Sequence, residues 1–302
     1  MNTDWFVIVN PTSGNKKSKK NWNTIATTLK NQGISFSVAF TQYTHHEFEL
    51  VQTAIKNGFT KIISVGGDGT LHHIVNGIMN QHLVDVTKIT LAVIPIGTGN
   101  DWVKTYNISA KIEKSILIIK KGATILQDIG LLQTKNKQVY FNNVAGIGYD
   151  GYVVNKLKKL KRFGSIAYLL SGLYGLLFYK KTDFNIEINN QYINTRCLMI
   201  VFGICKFSGG GMQFTHRVNP TDGLLDITIA KNLSLFDLLL NLPKLYNGNI
   251  VYHKKIETYK TTHLKISTST TNKPFIQADG ELIDSGSVTV SIIPNAIRII
   301  VP

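Results

Sequence analysis

Ile62-Ile-Ser-Val-Gly66-Gly-Asp-Gly-Thr70 is the stretch from which the fold is read. A short apolar run rich in β-branched residues predicts a strand. Three glycines within four residues follow it, and then a helical length, Leu71–Gln81. Glycine lets main-chain N–H groups approach a phosphate closely, and a helix start adds a partial positive charge. Asp68 stands in a loop that otherwise welcomes anions, a placement that suits a carboxylate holding Mg²⁺ beside a nucleotide. The same pentapeptide also reads as a tight strand–helix turn with a capping Asp.

Working outward, the pattern repeats. Apolar runs at Trp5–Val9, Ile34–Phe40 and Thr90–Ile94 alternate with helical lengths around Ser18–Asn31 and His45–Asn57. Strands alternating with helices predict βαβ units and a parallel sheet. Two further polar loops follow strands, Asn10-Pro-Thr-Ser-Gly14 and Gly97-Thr-Gly-Asn-Asp101. In an open α/β sheet the carboxyl ends of the strands are where ligands bind. Neither the P-loop nor the GxGxxG pattern is present. Beyond about Gly130 short β-rich runs dominate, with helical lengths at Leu235–Leu245 and from Tyr152 to Tyr179, and a second, largely antiparallel domain is expected. The predicted division is 1–130 and 131–302, with the last strand free to return to the first domain and a ligand cleft between the two.

Composition narrows the partners. The 302 residues are 43% hydrophobic and 17% charged, with 25 Gly and 7 Pro, which excludes disordered, collagen-like and coiled-coil chains. The net charge of +15 points to an anionic partner: nucleic acid, membrane surface or phosphorylated small molecule. Residues 1–130 carry +5 of it and residues 131–302 carry +10. Cys197 and Cys205 are too few for a disulfide framework or a four-ligand zinc site, so buried thiols in a reducing compartment are expected. The N-terminus lacks signal-peptide features, and a cytoplasmic location is expected.

Three loops of this kind in one order resemble the diacylglycerol kinase catalytic family, which includes soluble bacterial lipid kinases and sphingosine kinases. The resemblance rests on Asn10–Gly14, on Gly66-Gly-Asp-Gly-Thr-Leu-His-His-Ile-Val-Asn-Gly77 and on Pro95-Ile-Gly-Thr-Gly-Asn-Asp101. It continues through Asn143–Asp150, Gly209–Met212, Asp222-Gly-Leu-Leu-Asp226 and Asp279-Gly-Glu281, and so spans essentially the whole chain. It implies an α/β, three-layer nucleotide-binding domain followed by a C-terminal β-sandwich of the NAD kinase/diacylglycerol kinase-like type. The implied activity is ATP- and Mg²⁺-dependent transfer of a phosphoryl group to a primary hydroxyl of diacylglycerol or a related lipid. The alternatives are an NAD kinase-like small-molecule kinase, or a non-catalytic nucleotide- or lipid-binding protein.

The resemblance also assigns roles. Asn10, Pro11, Thr12, Ser13, Gly14, Thr41, Gly66, Gly67, Asp68, Gly69, Thr70, Thr98 and Asn100 would hold ATP. Asp279 would be the general base, with Glu281 orienting it or holding metal. Asp68 and Asp101 would organise Mg²⁺, and Asn219, Asp222 and the Leu224 carbonyl would hold a structural Mg²⁺. From the residues alone, Asp279-Gly280 and Asp222-Gly223 also read as simple turns. Two positions depart from the family pattern. His73 stands where Glu is usual in GGDGTxxE, and Lys104 stands where Arg is usual, keeping charge but losing the bidentate fork.

Lys156–Arg162 places five cations in seven residues, ahead of seventeen uncharged residues, Phe163–Tyr179. Glycines, serines and tyrosines dilute that run, so a buried helical hairpin or an interfacial element on an anionic membrane is expected rather than a span. The basic run has no nucleic-acid-binding pattern, and no nucleic-acid partner is expected. A homodimer through exposed strand edges stays open.

Overall fold

The computed structural model describes residues 2–157, 172, 174–269, 271 and 273–302. Most of the basic run and of the apolar run after it lies outside the described residues. The chain forms two compact units, one of residues 1–128 and 295–302, the other of Ile129–Pro294.

The first unit alternates β1 (Asn2–Val9), α1 (Ser13–Asn31), β2 (Phe36–Phe40), α2 (His46–Lys56), β3 (Phe59–Gly66), α3 (Asp68–Met79), β4 (Thr90–Pro95), α4 (Asp101–Thr105) and α5 (Ile112–Lys121). Its strands run parallel in the order β2-β1-β3-β4. The register aligns Val7 with Val38 and Ile63, and Ile63 with Ala92. The order steps outward in both directions from β1 and β3, so the connections from these two strands lead toward opposite edges of the sheet and β1/β3 is a topological switch point. Val7, Val9, Ile63, Val65, Ala92 and Ile94 pack with Ile25 and Leu29 of α1 in one apolar core. Near-continuous β-branched strands are what a sheet covered on both faces requires.

After β5 (Thr124–Gln133) the second unit comprises β6 (Gln138–Phe141), β7 (Val144–Gly148), α6 (Tyr149–Leu157), β8 (Thr182–Ile188), β9 (Gln191–Cys197), β10 (Met199–Gly203), β11 (Leu225–Ala230), α7 (Leu235–Leu240), α8 (Leu242–Asn247), β12 (Ile256–Thr261), β13 (His263–Ser267), β14 (Phe275–Ala278), β15 (Glu281–Ser285) and most of β16 (Val288–Ile300). One antiparallel sheet has the order β12-β11-β10-β7-β14-β15. In a second, β13 lies between β8 and the start of β16, and β9 pairs with β8. Strand β8 buries every second residue, Thr182, Phe184, Ile186 and Ile188, as a two-sided strand should. The end of β16 instead pairs in parallel with β4, through Arg298 and Ile299.

The helix read over Leu235–Leu245 is two. It breaks at Asn241, and Pro243 falls in the first turn of α8. A proline there has no N–H to bond the carbonyl four residues back, so one continuous helix cannot form. Cys197 and Cys205 are free and buried, and burial pushes the Cys197 thiol up to about 12. No helix among the described residues is long and apolar enough to cross a membrane.

Candidate active site

The loop residues of the first unit to which the resemblance assigns a nucleotide lie together because their strands are neighbours. Asn10 donates its main-chain N–H to the Val65 carbonyl at 3.0 Å, and Ile96 donates to Gly66 at 2.7 Å. The three loops are therefore stitched edge to edge. The Ser13 and Thr70 hydroxyls are 3.4 Å apart. A Cβ built on Gly97 would stand 2.7 Å from the Gly67 Cα and 2.4 Å from Asn100 Oδ1, so the second and third loops touch through bare glycine backbone. Asn100 donates to the Gly97 carbonyl at 3.1 Å, while its own Oδ1 is buried without a hydrogen-bond partner. Thr98 is exposed, and Thr41 is anchored by its N–H to Val9 at 2.9 Å.

Asp68, in the first turn of α3, spans to the third loop. Its Oδ2 accepts from Asp101 N at 3.2 Å and its Oδ1 from Trp102 N at 3.3 Å, capping the start of α4. A Cβ on Gly99 would lie 3.2 Å from Asp68 Oδ2 and 3.7 Å from Asp101 Oδ2. Two carboxylate oxygens thus face the space that the missing side chain leaves. Two carboxylates with water and phosphate oxygens as further ligands are a normal Mg²⁺ donor set, and these residues fit that ion. Lys104 reaches Asp101 Oδ1 through a single 2.7 Å contact, as a lysine in place of arginine must. His73 does not add a carboxylate; its Nδ1 is 3.3 Å from His45 Nδ1.

In the second unit, Asp279 and Gly280 form the two-residue turn between β14 and β15, both at positive φ (50° and 82°). That is the primed hairpin turn which Asp-Gly favours. The turn alone does not account for the side chain. Asp279 Oδ1 accepts from Asn143 N at 3.0 Å and Val144 N at 3.2 Å, and Oδ2 accepts from Asn142 N at 3.1 Å. Its own N–H donates to the Val144 carbonyl at 3.0 Å. Gln277, buried, accepts from Gly280 N at 2.8 Å and donates to Asp150 Oδ2. The carboxylate is half-buried and aimed by main chain, and Glu281 follows at the start of β15.

Asn219, Asp222 and Leu224 do gather, but around their own turn. Asn219 Oδ1 accepts from Thr221 N and Oγ1, and Asp222 Oδ1 accepts from Leu224 N at 3.1 Å. Asp222 Oδ2 meets Lys260 Nζ at 2.8 Å, and the same ammonium is 3.4 Å from Asp226 Oδ2. Burial raises the Asp226 carboxyl to about 6, against the opposing pull of Lys260. These residues do not fit a divalent ion without displacing Lys260, which already supplies the positive charge. Thermal unfolding in Mg²⁺ and in a chelator should therefore give midpoints within about 1 °C of each other. Lys260→Met should lower stability by about 1–2 kcal/mol, a value reduced by the partial exposure of the ammonium. A wild-type midpoint that rises by several degrees with Mg²⁺ would show the ion in that place.

Two features of the first unit were not legible as site residues. Gly14, Asn15 and Lys16 have φ of 58°, 57° and 67°, so the first loop continues as a left-handed turn before α1 becomes regular. It delivers exposed Lys16, Lys17, Lys19 and Lys20 just after the loop. The other is Glu47, in the first turn of α2 and only 3% exposed. Its single signal was an acid close after Thr41.

A parallel α/β unit with glycine loops at its strand ends, and a β-sandwich unit presenting an anchored aspartate, define a phosphotransferase fold of the NAD kinase/diacylglycerol kinase-like type. Comparison with known proteins specifies it further. The diacylglycerol kinase catalytic domain profile matches residues 4–132, and the YegS C-terminal NAD kinase beta sandwich-like domain profile matches residues 143–301. A diacylglycerol kinase of Mycobacterium tuberculosis is 25% identical over 98% of this chain and 94% of its own. One from Bacillus subtilis is 27% identical over 91% and 88%. A crystal structure of a diacylglycerol kinase from Bacillus anthracis superposes with a TM-score of 0.76 at 20% identity, covering 99% of this chain and 97% of that one. The chain belongs to the family of diacylglycerol and related lipid kinases, and membership implies ATP as the phosphate donor.

Proposed function

We propose that this protein is an ATP- and Mg²⁺-dependent lipid kinase that phosphorylates a primary hydroxyl of diacylglycerol or a related lipid. The observation that carries this reading is the Asp279 carboxylate, held by three main-chain N–H groups at a hairpin tip. A hairpin needs no such anchoring, but a general base needs a fixed direction. Asp279 accepts the hydroxyl proton as the new P–O bond forms and the bond from the γ-phosphorus to the bridging oxygen breaks, with ADP leaving. The loops at Asn10–Gly14, Gly66–Thr70 and Gly97–Asn100 orient the nucleotide phosphates through main-chain N–H groups, and Asp68 and Asp101 hold Mg²⁺. When bound, that ion neutralises charge on the phosphates, the main requirement of phosphoryl transfer besides alignment.

A lipid kinase must also reach its substrate in a bilayer. Phe236, Leu239 and Leu240 share one face of α7 and are exposed, as are Tyr174, Leu177 and Phe178. Apolar side chains on a unit of net +9 (19 Lys and Arg against 10 Asp and Glu) suit peripheral docking on an anionic membrane.

The test is transfer from radiolabelled ATP to diacylglycerol, sphingosine, undecaprenol or NAD. Lipid labelling supports the proposal. Labelling of NAD alone makes the protein a small-molecule kinase, and ATP binding with no acceptor labelled makes it a binding protein. For docking, Phe236→Ser/Leu240→Ser should reduce sedimentation with vesicles containing phosphatidylglycerol by about tenfold, since each buried apolar side chain contributes about 1.5–3 kcal/mol and the interfacial burial is partial. Unchanged sedimentation removes α7 from the docking face.

A further inference from the structure

We propose that Glu47 is a positioning residue for the nucleotide: it locks the first and second phosphate loops together through the Asn10 side chain. The inference rests on the ATP-dependent reading above. Glu47 is a carboxylate in the interior of the first unit, where leaving water is costly unless hydrogen bonds compensate. Burial pushes its carboxyl upward, and bonds to its own main chain and from Asn10 and Thr70 oppose that shift. Asn10 Nδ2 donates to Glu47 Oε1 at 3.1 Å and to Thr70 Oγ1 at 3.0 Å. Asn10 Oδ1 accepts from Thr12 N at 3.1 Å and from Thr12 Oγ1 at 2.8 Å. An asparagine amide has two donor hydrogens and two acceptor lone pairs, and all four are used.

The direction of that amide sets both loops. With the NH₂ toward α2, the oxygen is left to hold Thr12 in the Asn10–Gly14 loop, and the second N–H grips Thr70 at the end of the Gly66–Thr70 loop. If the amide turns over, the Asn10 oxygen faces Glu47 and Thr12 meets a donor. The Thr12 N–H, a fixed donor, already favours one orientation, and a carboxylate, which only accepts, reinforces it; a missing side chain at 47 removes that second hold. The placement also bears on His73. The family pattern expects a carboxylate at 73 on α3, and here His73 pairs with His45, two residues before Glu47. Thr70, which Glu47 contacts, lies one turn from 73 on α3. The acid of this corner is thus supplied from α2 instead of α3.

Two measurements test the clamp. The first is calorimetric titration of MgATP into the full chain. Glu47→Ala should weaken binding at least about tenfold, and Glu47→Gln, which can still accept from Asn10, should lose less. In an Asn10→Ala background, Glu47→Ala should cost less than about twofold more, because residues acting through one contact are not additive. Circular dichroism and melting check that each variant folds. The second needs no nucleotide. The Asn10 side-chain amide proton directed at Glu47 should be resolved and slow to exchange in the wild type, and should revert to free-amide behaviour in Glu47→Ala. Amide signals unchanged in Glu47→Ala, equal ATP affinity in that variant, or full additivity with Asn10→Ala each overturn the inference. A wild type that binds no ATP while its Asn10 amide is protected overturns the kinase reading, and with it any role for the clamp beyond structure.

Discussion

Asp279→Asn leaves MgATP binding intact and lowers lipid phosphorylation by about 10²–10⁴-fold, the usual contribution of a positioned base. The carboxamide has nearly the same shape but cannot take a proton from an alcohol. It also turns one acceptor oxygen into an NH₂ facing a main-chain N–H donor, that of Asn142 at the Oδ2 position or those of Asn143 and Val144 at the Oδ1 position. The hairpin tip therefore loses aim as well as basicity. Because the nucleotide loops belong to the other compact unit, ATP affinity should change less than about twofold. Steady-state kinetics with calorimetric ATP binding separates the two effects. Loss of ATP affinity in parallel with activity would mean that Asp279 supports the fold and not the chemistry.

Gly97→Ala is expected to be the most damaging single-methyl change in the first unit. The added Cβ would stand 2.7 Å from the Gly67 Cα and 2.4 Å from Asn100 Oδ1. Gly67 cannot rotate away, since its neighbours Gly66 and Asp68 are tied to the third loop through Ile96 N and Asp101 N. Relief requires the two loops to part. Overpacking of this kind costs about 1–3 kcal/mol. On the proposed function the nucleotide affinity should fall further, by at least about tenfold, because the N–H groups assigned to phosphate on both loops move at once. The control is Gly122→Ala, whose Cβ meets nothing within 4 Å and whose positive φ of 73° brings only local strain at the end of α5. Gly122→Ala should reduce stability modestly and leave ATP affinity unchanged. Calorimetry and thermal melts check both variants.

The alternation of strand and helix, and the loops after β1, β3 and β4, were legible because each is local. A β-branched run specifies a strand, and clustered glycines with a polar residue specify its end. The residues assigned to ATP fall on those loops and on Thr41, and strand order brings the loops side by side. Glu47 was not legible, because nothing within α2 marks one of its two acids as buried; only the packing of α2 on α3 makes Asn10 and Thr70 its partners. Lys260 was hidden for the same reason. Its pairing with Asp222 and Asp226 depends on β12 lying beside β11, which strand pairing determines. The left-handed turn at Gly14–Lys16 escaped because two of its three residues are not glycine.

By itself, then, the sequence determined the order and type of elements, the glycine-rich and polar loops at the strand ends and the resemblance to lipid kinases. These are properties of short stretches, set by backbone conformational preference and apolar period. The tertiary structure decided which groups are partners: Glu47 with Asn10, Asp68 with the start of α4, Asp279 with Asn142–Val144 and Lys260 with two aspartates. Those pairs are far apart in the chain, and their strength depends on burial and on angles that a linear pattern does not contain.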